Sequence, residues 1–585
     1  MSKQKIASAE LVSSSSEKAG TNGVDKNNLT IKTNASGKEI GQKIWAVADR
    51  LRGAVDSWDF KQFIFNFIFY KVCSDKVKQN LNDPKRLKTK KYKECFNVER
   101  YEDITKFTFD DKDEDVEKEL EKNIELSLNA LKSNLFLLPH MLFDNVYKNR
   151  WNLKNVLVDV IQRVFDYLNK NNCIKGMFSN FRCDDVRLGP DRNARNEKLL
   201  SIIEELNEVK FSEFKTNVDL LGDAFEFLMS MYASNGGKSG GEFYTPKEVS
   251  ELLASLAVAN KTEISNAYDP ACGSGSLLLK IKHLVDTKKI KFNDEDEYYF
   301  YGHEINLTTS NLCKMNMILH EVDPKRFKVD CIDTLLSGGN ALEENQTFDV
   351  IVSNPPYSIK WVGEDNQRLK DDKRFCPEQS NLPLAPKSKA DLAFVMHCLH
   401  YLSKNQGTAA IVCFPGIFYR EGAEFKIRQY LVENNYIDAI ISLPSNLFYG
   451  TSISTCILIL KKGKKDENIL FIDASDRFEK GNNKNFLKDE DINFIVDLYK
   501  KRETSENSYL ATLEEVNKNK YNLVPSRYIT NTKKEVIDII KLEEEIKKIT
   551  ARSNQLRKEL DEILDKELRN LLKELGKEDQ MPKKN

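Results

Sequence analysis

Between residues 264 and 354, four short apolar runs each stop at a polar or glycine-rich turn. That repetition constrains the fold more than any other feature of the chain. The runs cover residues 264–268, 298–302, 327–332 and 348–353. They end at Asp269-Pro270-Ala271-Cys272-Gly273-Ser274-Gly275, at His303-Glu304, at Asp333-Thr334 and at Asn354-Pro355-Pro356-Tyr357. Apolar runs of this length bounded by turn residues read as buried strands. A helical stretch rich in Leu and Lys, residues 276–285, follows the first turn. Strands alternating with helices predict an open parallel α/β sheet, where ligands bind at the carboxyl ends of the strands. One polar strand end is ordinarily just solvated, so the repetition carries the argument.

Each turn has its own chemistry. Glycines in Gly273-Ser274-Gly275 let the backbone come close to a ligand, and the helix that follows offers free N–H groups. The turn is not the GxGxxG of a dinucleotide site. Gly236-Gly237-Lys238-Ser239 is not a phosphate loop either, because the glycine that motif needs falls at Tyr232. A carboxylate at Glu304 suits a ribose diol, and one at Asp333 could accept from the exocyclic amine of an adenine. Asn354 has an amide oxygen that can accept from an amine. Pro355 presents a carbonyl with no competing N–H, and Tyr357 has a ring to stack on a planar group.

These motifs carry a resemblance. DPACGSG followed by NPPY is similar to the cofactor and catalytic motifs of S-adenosylmethionine-dependent adenine-N6 DNA methyltransferases. Residues 219–228, Gly241-Glu242-Phe243-Tyr244-Thr245-Pro246, residues 407–460 and residues 44–53 resemble segments of the modification (methyltransferase) subunits of Type I restriction-modification systems. The resemblance spans roughly residues 40–530. It implies that Asn354 and Pro355 hold and polarise the target amine and that Tyr357 stacks on a flipped adenine, with Pro356 in the same catalytic set. It also implies that Asp269, Gly273 and Gly275 line the methionine part of the cofactor, Glu304 its ribose and Asp333 its adenine. Thr245 would lie near the cofactor carboxylate, and Tyr244, Pro246, Ala271 and Ser274 complete the cofactor-binding set. Tyr244 and Glu242 stand where many relatives have Phe and Gln; both changes keep size. Phe394, Phe414 and Phe418 are candidates for a second stacking ring.

The chemistry follows. The amine of adenine shares its lone pair with the ring and is a poor nucleophile. Two acceptors, at Asn354 and Pro355, would favour a more tetrahedral nitrogen aimed at the sulfonium methyl. No Cys nucleophile is needed, and proximity and orientation carry most of the barrier reduction. Extruding the base costs on the order of a few kcal/mol. Stacking on Tyr357 would offset about 1–3 kcal/mol of that.

A length of 585 residues is too much for one domain. Residues 1–38, rich in Ser, Lys, Asn and Gly, read as a disordered arm. Residues 39–210 read as a helical domain, since Ile44, Trp45, Val47, Ala48 and Leu51, and again Phe60, Phe63, Ile64, Phe67 and Ile68, recur at helical spacing. Residues 211–475 read as the Rossmann-like catalytic domain, with later strands near 408–414, 437–442 and 453–460. Residues 476–532 form an extension. The charged, proline-containing stretch 365–389 reads as a long loop that orders on DNA.

From 533 to 585 a tail helix shows Leu542, Ile546, Ile549, Leu556, Leu560 and Ile563 at a 3-4 spacing. That is a coiled-coil-like pattern, or a helix folded back on its own domain.

With 89 Lys+Arg against 90 Asp+Glu, the net charge of −1 rules out a strong polyelectrolyte binder. The basic run at residues 85–93 reads as a solvated loop first and a phosphate contact second. Eleven cysteines without a C-x-x-C pair and only 6 histidines argue against a metal centre or a disulfide framework, and for a reducing cytosol. No signal peptide or membrane span is visible. Too little chain follows the last core strand to hold a target-recognition domain. A separate specificity subunit is therefore expected. The resemblance implies that it docks on the tail, in a complex that acts on double-stranded DNA and holds a second copy of the chain and, in some cases, a restriction subunit. The resemblance places the chain in a bacterial or archaeal cytoplasm. Three rivals stand beside this reading: a stand-alone adenine methyltransferase, a protein-glutamine methyltransferase, and a non-catalytic scaffold.

Overall fold

The computed structural model describes residues 57–81, 141–171, 174–209, 245–288, 290–293, 297–336, 345–377, 380–448, 451–481, 484–529 and 539–574, with Gln42, Leu137 and Leu342 as isolated positions. The expected arm, the basic run at 85–93, the segments at 44–53 and 219–228, and Tyr244 lie outside the described residues. Packing divides the chain into two units. One comprises Met1–Tyr244, Gly273–Gly275 and Leu307–Phe327; the other comprises Thr245–Cys272, Ser276–Asn306 and Lys328–Asn585.

The first unit is built from helices. Ser57–Leu81 was expected to bury one stripe, but from Phe63 to Ser74 every side chain is buried. A helix that is apolar all round belongs in the centre of a bundle. Its rings meet those of Leu157–Leu168 and the loop after it: Phe165 lies 4.6 Å from Phe181, 5.0 Å from Phe178 and 5.6 Å from Phe67. Truncating such a ring to Ala costs about 3–5 kcal/mol. The polar groups that must enter this core are paired. The Tyr70 hydroxyl donates to the Met141 carbonyl at 2.6 Å, and Ser74 Oγ accepts from Phe143 N at 2.8 Å. Arg192–Asn207 starts at Asp191, whose carboxylate accepts from Ala194 N. Leu307–Leu319 adds Leu312, Met315 and Leu319 to the same core.

The second unit holds a nine-stranded sheet. Its strands are β1 (Ala267–Asp269), β2 (Phe300–Glu304), β3 (Phe327–Cys331), β4 (Val350–Ser353), β5 (Thr408–Cys413), β6 (Ile437–Ser442), β7 (Cys456–Lys461), β8 (Ile469–Asp473) and β9 (Ser508–Ala511). The spatial order is β9-β8-β6-β7-β5-β4-β1-β2-β3. Strands β2, β1, β4 and β5 run parallel, while β7 lies antiparallel between β5 and β6. Successive residues along β1, β2, β4 and β5 are buried without alternation, as expected where helices cover both faces. The chain moves outward from β1 to β3 and then returns to lay β4 on the other side of β1. That reversal is a topological switch point, where a crevice opens at the strand ends.

Three local features differ from the sequence expectation. First, β1 begins at Ala267, because Asn266 and Asp349 bridge the strand entries. Asn266 Nδ2 donates to the Thr347 carbonyl, Asp349 N to Asn266 Oδ1, and Ser265 N to Asp349 Oδ2. Second, the extension supplies β9, whose Ala511, Leu510, Tyr509 and Ser508 pair with Ile469, Leu470, Phe471 and Ile472 of β8.

Third, the stretch 365–389, expected as a long loop, packs against the sheet together with the residues just before it. Trp361, Leu369, Phe375, Leu382, Leu384 and Ala385 join the core formed on the sheet. Trp361 Nε1 donates to the Pro386 carbonyl at 3.1 Å. The charges around those apolar residues disguised them as solvated loop.

The helix Ile539–Glu574 is one continuous element. Its apolar stripe is not folded back: Leu542, Ile546, Ile549, Leu556, Leu560 and Ile563 are between 48% and 69% exposed. No described helix is long and apolar enough to cross a membrane.

Candidate active site

The four polar strand ends fall on adjacent strands of the second unit. In the sheet order β3-β2-β1-β4, they form the row Asp333, Glu304, Asp269, Asn354. At about 4.8 Å per strand, that row is roughly 15 Å long.

Each carboxylate in the row uses one oxygen to close the turn after its strand. Asp269 Oδ1 accepts from Ala271 N at 3.0 Å, Glu304 Oε1 from Asn306 N at 2.8 Å, and Asp333 Oδ1 from Leu335 N and Leu336 N at 3.0 and 3.2 Å. The acid at the strand end thus shapes the turn that follows it. Asp269 is fully buried, and its Oδ2 has no hydrogen-bond partner among the described residues. Burial pushes its carboxyl up to about 7, and the neighbouring Glu304 charge adds to that; the Ala271 N–H pulls the other way. A buried acid poised there is stabilised as an anion by any cation placed against it. Two apolar side chains that sequence reading missed sit beside these acids. Ile305 and Leu336 are 68% and 40% exposed and offer apolar faces that a planar ring could cover.

Asn354 is oriented from both sides. Its Nδ2 donates to Thr245 Oγ1 at 3.0 Å, and its Oδ1 accepts from the Tyr357 hydroxyl at 2.5 Å. Thr245 is buried immediately before Pro246, which caps the helix Lys247–Ala257. Its hydroxyl therefore meets the Asn354 amide. The turn after Tyr357 passes through Ser358 at φ +50°, and Ser358 N donates to Asp391 Oδ1 at 3.1 Å. Tyr357 lies 5.5 Å from the Phe414 ring and 6.2 Å from Phe448. Of the three candidate rings only Phe414, which is half-buried, contacts Tyr357. Phe394 and Phe418 are buried in the core. Phe448 was missed, although it sits in the Leu447-Phe448 pair of a segment already noted for its resemblance.

Gly273, Ser274 and Gly275 are counted with the first unit. Gly273 and Gly275 have φ of +52° and +80°. A Cβ on Gly275 would come within 2.7 Å of Cys313 Sγ, so close packing alone already requires glycine there. Asn316 Nδ2 donates to the Ser274 carbonyl at 2.9 Å and fixes the turn. Among the described residues, no cluster of His, Cys, Asp or Glu could hold a metal ion.

Comparison with known proteins gives a consistent answer. The N-6 DNA Methylase family matches residues 216–536, and the HsdM N-terminal domain matches residues 40–206. The Type I restriction enzyme MpnII methylase subunit of Mycoplasma pneumoniae is 39% identical over 90% of this chain and 95% of its own length. The MjaVII methylase subunit of Methanocaldococcus jannaschii is 37% identical over 63% of each chain. Among solved structures, a type I restriction-modification methyltransferase subunit from Streptococcus thermophilus superposes with a TM-score of 0.72 at 31% identity, covering 85% of this chain and 100% of that one. The chain therefore belongs to the N-6 DNA methylases, among the methylase subunits of Type I restriction-modification systems.

Proposed function

We propose that this subunit transfers a methyl group from S-adenosylmethionine to N6 of an adenine flipped out of double-stranded DNA, at sites chosen by a separate specificity subunit. One observation carries the assignment of roles: the order of polar ends across the sheet. Asp333, Glu304, Asp269 and Asn354 stand in the sequence in which an adenine, a ribose, an amino-acid part and a target amine would be met along an extended cofactor. The residues fit that group on independent grounds. Asp269 has a buried oxygen without a partner and faces the crevice of a topological switch point, where a cationic donor would find its counter-charge. Ile305 and Leu336 offer apolar faces beside Glu304 and Asp333.

The bound cofactor supplies an electrophilic methyl group on a sulfonium. The rest is done by the chain. Asn354 Oδ1 and the Pro355 carbonyl accept the two hydrogens of the amine, which draws its lone pair out of ring conjugation. The Tyr357 hydroxyl takes one lone pair of Asn354 Oδ1 and leaves the other for the amine. Its ring, with Phe414 and Phe448 nearby, forms the apolar wall against which the base stacks. Thr245 keeps the amide from rotating. Pro356 stiffens the turn between acceptor and ring.

The exposed stripe on Ile539–Glu574 supports docking onto the specificity subunit, in a complex with a second copy of this chain and, where restriction occurs, a restriction subunit. The deciding experiment is transfer of labelled methyl to DNA by the chain alone, with its specificity subunit, and with Asn354→Ala in both settings. Activity that needs the partner and is lost in the variant supports the proposal. Specific activity without the partner would make the enzyme self-sufficient. No transfer to DNA in either setting would refute it.

A further inference from the structure

Arg374 lies in the packed stretch after Tyr357, a stretch that methyl transfer itself leaves without a role. It is buried, and a buried guanidinium persists only where its donors are matched. Every N–H of Arg374 finds an acceptor. Nε and Nη2 donate to the Asp372 carboxylate at 3.1 and 2.7 Å, Nη2 also to the Leu335 carbonyl at 3.0 Å, and Nη1 to the Thr334 carbonyl at 2.8 Å and His397 Nδ1 at 3.1 Å.

Those two carbonyls belong to the turn that follows Asp333. The Asp333 carboxylate holds the N–H groups of this turn, and Arg374 holds its carbonyls. The Thr334 hydroxyl then donates to the Pro270 carbonyl at 2.6 Å, tying the turn to the residue next to Asp269.

His397 carries the network to the other strand ends. Its Nε2 is 2.8 Å from the Tyr268 hydroxyl, which is 2.8 Å from His303 Nδ1. Tyr268 precedes Asp269, and His303 precedes Glu304. Burial holds both imidazoles neutral, His303 at about 3; the Lys328 and Arg374 charges add to this at His303 and the Arg374 charge at His397.

The direction of donation then follows from Arg374, which can only donate. His397 Nδ1 accepts, so its proton sits on Nε2 and is donated to the Tyr268 oxygen. The Tyr268 O–H donates to His303 Nδ1. The His303 proton is left on Nε2, which has no partner among the described residues.

We propose that Arg374 is a positioning residue for the cofactor site, fixing Asp269, Glu304 and Asp333 relative to one another and linking them to the segment that follows Tyr357. The inference rests on reading those carboxylates as cofactor ligands. It is tested by calorimetric titration of the full chain with S-adenosylmethionine. Arg374→Met weakens cofactor binding about tenfold, the change expected for losing roughly one hydrogen bond to a charged group. Affinity for DNA stays at the wild-type value. Arg374→Lys keeps the charge but lacks the planar fork, and restores only part of the loss.

Tyr268→Phe keeps the ring stacked on Phe348 at 4.5 Å but breaks the relay, and weakens cofactor binding in the same direction by less. Nitrogen shifts of labelled histidine report His397 as the Nε2–H tautomer in the wild type and as a mixture in Arg374→Met. Should Arg374→Met fail to fold, Tyr268→Phe and the wild-type tautomer decide the matter. Wild-type binding with unchanged affinity in the folded variants overturns the positioning role alone. Absence of binding by the wild type would overturn the cofactor-site reading along with it.

Discussion

The strand ends at Asp269, Glu304 and Asp333 and the strand end at Asn354 belong to one sheet, yet they are dressed differently. The first three carry acids that close their own turns through backbone N–H groups, and two of them are buried. The fourth carries a neutral amide held by two hydroxyls and walled by rings. On the roles proposed above, a cationic donor would be gripped by charge at buried acids, where Coulomb attraction is strong. A neutral base would be gripped by hydrogen bonds and stacking, which need orientation more than charge. The two halves should therefore fail independently, and differently.

The largest expected effect falls on the target half. Asn354→Ala lowers kcat at least about a hundredfold, the scale of removing one oriented polar group from a reaction centre. It leaves cofactor affinity near wild type, as steady-state kinetics beside calorimetry would check. Next comes the charge of the cofactor half. A cation binds the ionised form of Asp269, and burial has raised that carboxyl to about 7. Cofactor affinity is therefore at its plateau above that pH. It falls as pH drops below it, by up to about tenfold per unit. Titrations across the range would show the slope, and Asp269→Asn would flatten it at the weaker level.

Tyr357 separates ring from hydroxyl. Tyr357→Ala forfeits stacking of about 1–3 kcal/mol and weakens binding of a DNA target accordingly. Tyr357→Phe retains the ring and frees Asn354 Oδ1 of its present donor, so it stays far closer to wild type. Removing residues 539–574 has no expected effect on either half of the site. Cofactor affinity is unchanged, and the transfer that depends on the specificity subunit is lost through docking alone, because the exposed stripe of Leu542, Ile546 and Ile549 is gone.

What could be read from the sequence was whatever the chain states locally. The apolar run before Asn354 ends in a proline pair, so strand, stop and amide are all spelled out within ten residues. Acids after β2 and β3 announce themselves the same way. Long-range pairings were not legible. Thr245 meets Asn354 across more than a hundred residues of chain, and nothing in Gly-Glu-Phe-Tyr-Thr-Pro points to an amide partner. Strand β9 is a short, mixed run whose only reason to be a strand is the exposed edge of β8. The packed stretch around Arg374 looked like loop because its charges are paired internally, and a paired charge reads the same in sequence as a solvated one.

Whether Asn354 presents the amine of a DNA adenine for methylation is decided by digesting reacted DNA to nucleosides and identifying the methylated base by mass spectrometry, with the specificity subunit present. The wild-type reaction yields N6-methyladenine, and Asn354→Ala does not. Methyl appearing on cytosine instead, or N6-methyladenine persisting at wild-type level in the variant, would contradict that role.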